Sequence, residues 1–218
     1  MAIKNILISN KPILYLVTER LHGDMSYFKS VITDAAKAGV DLIQLREKNI
    51  SVSEHRKIAK EVKEITDKYN IPLIINDNPI VASEINAAGV HIGQDDIDID
   101  TTRKIVGNKA IIGISIENIE QAKILPQDKV EYIAISPLFM TKTKKDAAPP
   151  VGLEEAKKIR KIITKPLFAI GGINSKNAQD VILSGIDGIC VVSAIFNSPN
   201  PFLATQQLRQ LINEAAAI

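Results

Sequence analysis

Several stretches of this chain place anion-binding or cation-binding groups just past short apolar runs. In "QLREK", Gln44, Arg46 and Lys48 alternate with Leu45 and Glu47, so a period of two points all three to one side. Two cations gathered there are costly to bury without an anion, and a phosphate or diphosphate would supply one. Taken alone, the stretch equally describes a strand end whose cations reach solvent or pair with Glu47.

Carboxylates follow the next two runs. "IIND" ends in Asn76 and Asp77, and "HIGQDD" in Asp95 and Asp96. Such a pair suits Mg²⁺, which takes one or two carboxylates, keeps waters and adds phosphate oxygens. Either Asp95 or Asp96 could be the second ligand; the competing use of Asp77 and Asp95 or Asp96 is helix capping. Further on, Ser115 ends a fifth run. In "TKTKKD" the Thr141 and Thr143 hydroxyls and the Lys144 ammonium could close over phosphate oxygens, although charge runs are usually solvated loops. In "AIGGINSKNAQD", Gly171 and Gly172 precede a helix expected to open at Asn174 or Ser175, a second place for a phosphate, with Val192 and Ser193 of "VVSAI" beside it. The simpler alternative is a tight turn with an ordinary cap. His91 reads as a hydrogen-bonded core residue, with no histidine or cysteine at zinc spacing from it.

The elements that must position these groups are eight short β-branched runs: "ILYLVT", "DLIQLR", "PLIIND", "GVHIG", "AIIGIS", "EYIAIS", "PLFAIGG" and "GICVVSA". Between them lie amphipathic stretches such as "SEHRKIAKEVKEITDKY" and "GLEEAKKIRKIIT". Eight βα units of about 27 residues each fit a compact (β/α)₈ TIM barrel occupying residues 1–218 as one domain. A doubly wound open sheet shares the alternation, but the chain has no evident mid-point break. In a barrel the chemistry sits at the C-terminal strand ends, where the polar residues above fall.

Composition narrows the partners. The 27 basic and 25 acidic residues leave a net charge of +2 without a basic stripe, and aromatic residues make up only 4%, which argues against nucleic acid. Asn10, Lys11 and Pro12 interrupt the apolar N-terminal pieces, so neither a signal-peptide core nor a membrane span is expected. The lone Cys190 fits a reducing, cytoplasmic setting. Whether the chain forms a homodimer is left open by the sequence.

In their order and spacing, "QLREK", "IND", "GVHIGQDD", "TKTKKD", "AIGGI" and "VVSAI" resemble the thiamine phosphate synthase family over nearly the whole chain. The resemblance implies a Mg²⁺-dependent transferase on a (β/α)₈ barrel. It would join a hydroxymethylpyrimidine diphosphate to a thiazole phosphate, releasing thiamine phosphate and pyrophosphate through a dissociative, carbocation-like step. It further implies that Gln44, Arg46, Lys48, Asn76 and Lys144 hold the pyrimidine diphosphate with Ser115 nearby, and that Asp77 and Asp96 bind Mg²⁺. Lys144, Arg46 and Lys48 would stabilise the departing pyrophosphate. Thr141 and Thr143 would contact the thiazole phosphate or leaving group, and Gly172, Val192 and Ser193 the thiazole phosphate. The chain departs from the family pattern at Ser136, Asn78 and Glu117. A related thiazole tautomerase has no chemical use for Arg46, Lys48, Asp77, Asp96 and Lys144 together. A non-catalytic phosphometabolite sensor would bind without releasing pyrophosphate.

Overall fold

The computed structural model describes residues 6–7, 11–20, 23–141, 143 and 148–218. The eight apolar runs are strands β1 (Ile13–Val17), β2 (Leu42–Leu45), β3 (Leu73–Asn76), β4 (Gly89–Ile92), β5 (Ile111–Ile116), β6 (Tyr132–Ile135), β7 (Leu167–Ile170) and β8 (Gly188–Val191). Each pairs in parallel with the next, and β1 closes on β8 through Leu14 beside Ile189 and Leu16 beside Val191. The sheet is therefore a closed (β/α)₈ barrel, and the open alternative is set aside.

The helices run α1 (Met25–Ala38), α2 (Val52–Lys68), α3 (Pro79–Glu84), α4 (Ile99–Val106), α5 (Ile119–Ile124), α6 (Gly152–Ile162), α7 (Ala178–Leu183), α8 (Ser193–Phe196) and α9 (Pro201–Ala215). Their starts are written locally. Asp24, Ser51, Asn78, Asp98, Asn118 and Asn200 each accept a backbone N–H of the following first turn, and Pro79 and Pro201 sit where their missing N–H costs nothing. Among the described residues no helix is long and apolar enough to cross a membrane.

Strand alternation sorts the core into two layers. Leu14, Leu16, Ile43, Leu45, Ile75 and Ile133 pack outward against the helices, whereas Tyr15, Val17, Leu42, Ile74, Tyr132, Phe168 and Cys190 fill the barrel. Gly113 makes room for this filling: a Cβ there would lie 2.0 Å from the Tyr132 ring.

The N-terminal end of the barrel is fastened by three similar clamps. An acid just before an even strand, Asp41, Glu131 or Asp187, accepts a backbone N–H at or near the start of the preceding strand, from Leu14 (2.8 Å), Ile112 (2.7 Å) or Leu167 (2.7 Å). A helix arginine closes each clamp: Arg209 on Asp41, Arg103 on Glu131 (2.7 Å) and Arg160 on Asp187 (2.6 Å). The same arginines donate to nearby carbonyls, including Gly39 (3.1 Å), Ala110 (2.6 Å) and Lys165 (3.0 Å). These charges are only partly shielded from water, but each is paired and hydrogen-bonded to backbone as well, which favours a stabilising role.

Candidate active site

The opposite end opens into a cavity of about 320 Å³. Gln44, Arg46, Lys48, Asn76, Asp77, Asp95, Asp96, Ser115, Thr141, Thr143, Gly172, Val192 and Ser193 all line it. Every sequence-predicted site residue except Lys144 thus faces one space; Lys144 lies outside the described residues. The cavity also takes in Tyr15, Gln94 and Cys190, which the motif reading passed over, and the departing residues Glu117 and Ser136. Tyr15 carries a readable signal, since it alternates with Leu14 and Leu16 and shares the barrel-interior face with Ile13 and Val17.

The β2 end behaves as its alternation suggests. Gln44 is buried and points inward, Arg46 and Lys48 reach the cavity, and Glu47 turns away to pair with Arg20 at 3.1 Å. Glu47 therefore does not neutralise the two cations. Its side chain is only 5% exposed and one carboxylate oxygen has no partner, so burial raises its pKa, against the opposing effect of Arg20. Lys48 instead forms an ion pair with Asp77. Among the described residues the Arg46 guanidinium has no ion-pair partner, while its backbone N–H donates to Thr18 Oγ1 at 3.1 Å.

The capping alternative for the carboxylates fails. Asn78 caps α3 through Val81 N–H (3.0 Å), and Asp98 caps α4 through Thr101 N–H (2.9 Å). Asp77 stands in the left-handed region at φ 59°, where its N–H donates to the His91 carbonyl at 2.8 Å. That uncommon conformation turns the carboxylate into the mouth. Asp96 accepts Gly93 N–H at 2.7 Å, and its pKa is raised by desolvation and a hydrogen bond with Asp77, against the pull of the Gly93 amide and Lys48. A carboxylate whose ionisation is opposed by burial and by a neighbouring carboxylate is one that a divalent cation would relieve. Among the described residues no group of three or more His, Cys, Asp or Glu could hold a metal ion, so such an ion would need oxygens from substrate or water.

Across the mouth, binding groups come from backbone. Gly171 and Gly172 have φ of 106° and 66°, and a Cβ on Gly172 would meet the Met140 carbonyl at 2.5 Å. This close approach anchors the segment after β6: Leu138 and Phe139 N–H donate to the Ile170 and Gly171 carbonyls at 2.7 and 3.0 Å, while Val151 and Gly152 bond back to Pro137 and Leu138. The Ser136–Pro137 bond is cis. Asn174 and Asn177 both donate side-chain amides to the Gly172 carbonyl at 3.1 Å. The helix after β7 does not open at Asn174 or Ser175 but at Ala178, because Asn174 and Asn177 are engaged in tying that turn. Ser193 begins α8 at the cavity edge.

His91 is a core residue as its strand position suggests. Nδ1 lies 2.9 Å from Tyr132 Oη and Nε2 lies 2.9 Å from Ser115 Oγ, and burial lowers its pKa to about 4 against the weaker effect of Asp96. The buried Cys190 thiol is pushed up by desolvation. Neither is a reactive acid, base or nucleophile near neutral pH.

A closed barrel with cations, carboxylates and a glycine turn converging at its C-terminal mouth is an enzyme architecture suited to phosphorylated metabolites. The chain belongs to the thiamine monophosphate synthase family, which it matches over residues 14–195. It is 45% identical over 185 residues to a thiamine-phosphate synthase of Clostridium novyi, covering 85% of this chain and 91% of that one. With a Clostridium botulinum thiamine-phosphate synthase the identity is 42% over 201 residues, covering 92% and 97%. The solved thiamine phosphate pyrophosphorylase from Pyrococcus furiosus matches at a TM-score of 0.85 and 32% identity, covering 94% and 98%. A 3-hexulose-6-phosphate synthase, at a TM-score of 0.69 and 14% identity over 91% and 99%, shares the fold alone. The chain is accordingly a group-transferring enzyme of thiamine biosynthesis.

Proposed function

We propose that the chain couples 4-amino-2-methyl-5-hydroxymethylpyrimidine diphosphate with 4-methyl-5-hydroxyethylthiazole phosphate, in the presence of Mg²⁺, to give thiamine phosphate and pyrophosphate. One observation carries this reading. A cationic and carboxylate-rich edge, formed by Arg46, Lys48, Asp77 and Asp96, and a separate glycine turn at Gly172 face the same cavity. Two anionic substrates that must meet need such a pair of sites.

In this reading Gln44, Asn76 and Ser115 orient the pyrimidine half. Arg46, Lys48 and Lys144 bind the diphosphate, Thr141 and Thr143 contact phosphate oxygens, and Gly172, Val192 and Ser193 hold the thiazole phosphate. Asp77 and Asp96 would hold Mg²⁺, which when bound supplies positive charge to the leaving pyrophosphate. The bond from the methylene carbon to the diphosphate oxygen breaks with its electron pair leaving on pyrophosphate, and the aminopyrimidine carries the resulting positive charge. The thiazole nitrogen lone pair then forms the new C–N bond and the nitrogen becomes quaternary. It loses no proton, so no general base is required. The protein's work is orientation and preorganised charge, which accords with a neutral His91 and an inert Cys190. We further read the chain as one domain working in a reducing cytoplasm, because Cys190 is buried and the sequence holds no second cysteine.

The test is to incubate the protein with both substrates, with Mg²⁺ or with chelator, and to follow both products. Equal, Mg²⁺-dependent appearance of thiamine phosphate and pyrophosphate is expected. Isomerisation of the thiazole without coupling would indicate a tautomerase instead, and ligand binding without chemistry a sensor.

A further inference from the structure

Beneath the cavity a hydrogen-bond chain crosses the barrel from β2 to β5. Gln44 Nε2 donates to Tyr15 Oη at 2.9 Å, Tyr15 Oη lies 3.0 Å from Tyr132 Oη, Tyr132 Oη lies 2.9 Å from His91 Nδ1, and His91 Nε2 lies 2.9 Å from Ser115 Oγ. Its two ends, Gln44 and Ser115, line the cavity, as do Tyr15 and His91 along its floor, whereas Tyr132 lies beneath them. The middle is rigid: Tyr15 and Tyr132 are 1% and 0% exposed, Phe168 packs on both rings, and His91 stacks on Tyr132 with centroids 5.5 Å apart.

Counting protons along the chain gives it a direction. Tyr15 accepts from Gln44, so its own hydrogen has Tyr132 Oη as acceptor. The Tyr132 hydrogen then goes to His91 Nδ1. His91 must carry its proton on Nε2 and donate to Ser115 Oγ, which leaves the serine hydrogen free for the cavity. At the other end, Gln44 Oε1 has no partner among the described residues yet is not sealed off, so it faces the cavity as an acceptor. Reversing the chain would require the Gln44 amide to turn over, and both ends would exchange roles together.

We propose that Tyr15, Tyr132 and His91 are positioning residues that hold Gln44 as an acceptor and Ser115 as a donor toward the substrate, so that the polarity of one end is coupled to that of the other. The consequence for specificity is direct: the cavity is set for a ligand with a donor facing β2 and an acceptor facing β5. A ligand with the opposite polarity leaves a polar group unpaired at each end, the buried Gln44 and the half-buried Ser115. The inference rests on the reading of Gln44 and Ser115 as pyrimidine-side contacts.

Two measurements test it. The first is a double-mutant cycle on kcat/KM for the pyrimidine diphosphate with Ser115→Ala, Tyr132→Phe and the double variant, with thermal melting as the check on folding. Each single change is expected to cost about tenfold and to leave KM for thiazole phosphate unchanged, and the double variant should cost little more than Ser115→Ala alone. Multiplying losses, about a hundredfold in the double variant, would overturn the coupling while leaving the proposed reaction intact. Should Tyr132→Phe not fold, Tyr15→Phe replaces it in the same cycle, with the same two outcomes. A wild-type protein that turns over no pyrimidine diphosphate would remove both the reaction and this inference. The second measurement needs no substrate: ¹⁵N NMR of the His91 ring, identified by its loss in His91→Asn. A protonated Nε2 and bare Nδ1 are expected, and a protonated Nδ1 would overturn the stated direction.

Discussion

The two ends of this barrel use charge in opposite ways. At the N-terminal end Asp41, Glu131 and Asp187 each meet an arginine and a backbone N–H, so their charges are matched within the fold. At the C-terminal end Arg46 has no ion-pair partner among the described residues, and although Lys48 pairs with Asp77, burial and the neighbouring Asp77 carboxylate raise the Asp96 pKa. An ordinary stabilising arrangement would give Arg46 a carboxylate partner, as each arginine of the other end has. Mismatched charge at one mouth, on a chain that matches it elsewhere, marks where a ligand completes the electrostatics.

The largest expected effect removes a mouth carboxylate. In the proposed reaction Asp77→Ala should slow turnover by roughly 10²–10³-fold, with thiazole phosphate binding little changed, because the charge Asp77 would help organise develops on the pyrophosphate. Steady-state kinetics with each substrate varied in turn checks this; near-normal kcat would place the working charge elsewhere. Next comes the backbone side of the mouth. Gly172→Ala forces a side chain into the left-handed region against the Met140 carbonyl, at a cost of up to about 3 kcal/mol. It should raise KM for thiazole phosphate more than KM for the diphosphate, and equal rises would mean that the turn serves the whole mouth.

The opposite end should respond in stability and not in rate. Arg160→Ala removes bonds to Asp187 and to the Ile163 and Lys165 carbonyls. A loss of about 2 kcal/mol is expected, a fall in Tm of about 4–8 °C, with kcat per folded molecule unchanged. A matching loss of kcat would show the two ends to be coupled.

What could be read from the sequence follows the range of the interactions involved. All eight strands announce themselves because a β-branched run and its flanking helix are local, and alternation then aims Gln44, Arg46 and Lys48 correctly. The clamps stay hidden, since nothing near Asp41 in the sequence points to an arginine 168 residues away. The interior chain was hidden for a related reason: Tyr15 and Tyr132 read as apolar strand residues, and only barrel closure brings their hydroxyls together. Asn174 and Ser175 have good capping side chains and so predict an earlier start for α7 than Ala178, but Asn174 is taken by the Gly172 carbonyl and the Lys176 N–H. His55, on the buried face of the amphipathic α2, has an unpartnered Nε2, and burial lowers its pKa.

The smallest effect separates the two ends most sharply, because it reverses sign. Desolvation and the hydrogen bond with Asp77 raise the Asp96 carboxyl above its unfolded value, and Lys48 only partly offsets them. A carboxyl raised on folding contributes stability that is complete below the ordinary aspartate range and is lost as pH rises through its folded pKa. At neutral pH the ionised Asp96 is therefore a burden on the metal-free protein. Asp96→Asn keeps an oxygen for the Gly93 N–H and removes the charge, so it should raise Tm at neutral pH by about 1–2 °C in chelator. That gain should fade as pH falls through the folded pKa, and added Mg²⁺ should stabilise the wild type more than the variant. A lower Tm for Asp96→Asn at neutral pH would mean that Lys48 holds the carboxylate more strongly than Asp77 opposes it, making this mouth a matched site like the barrel's other end.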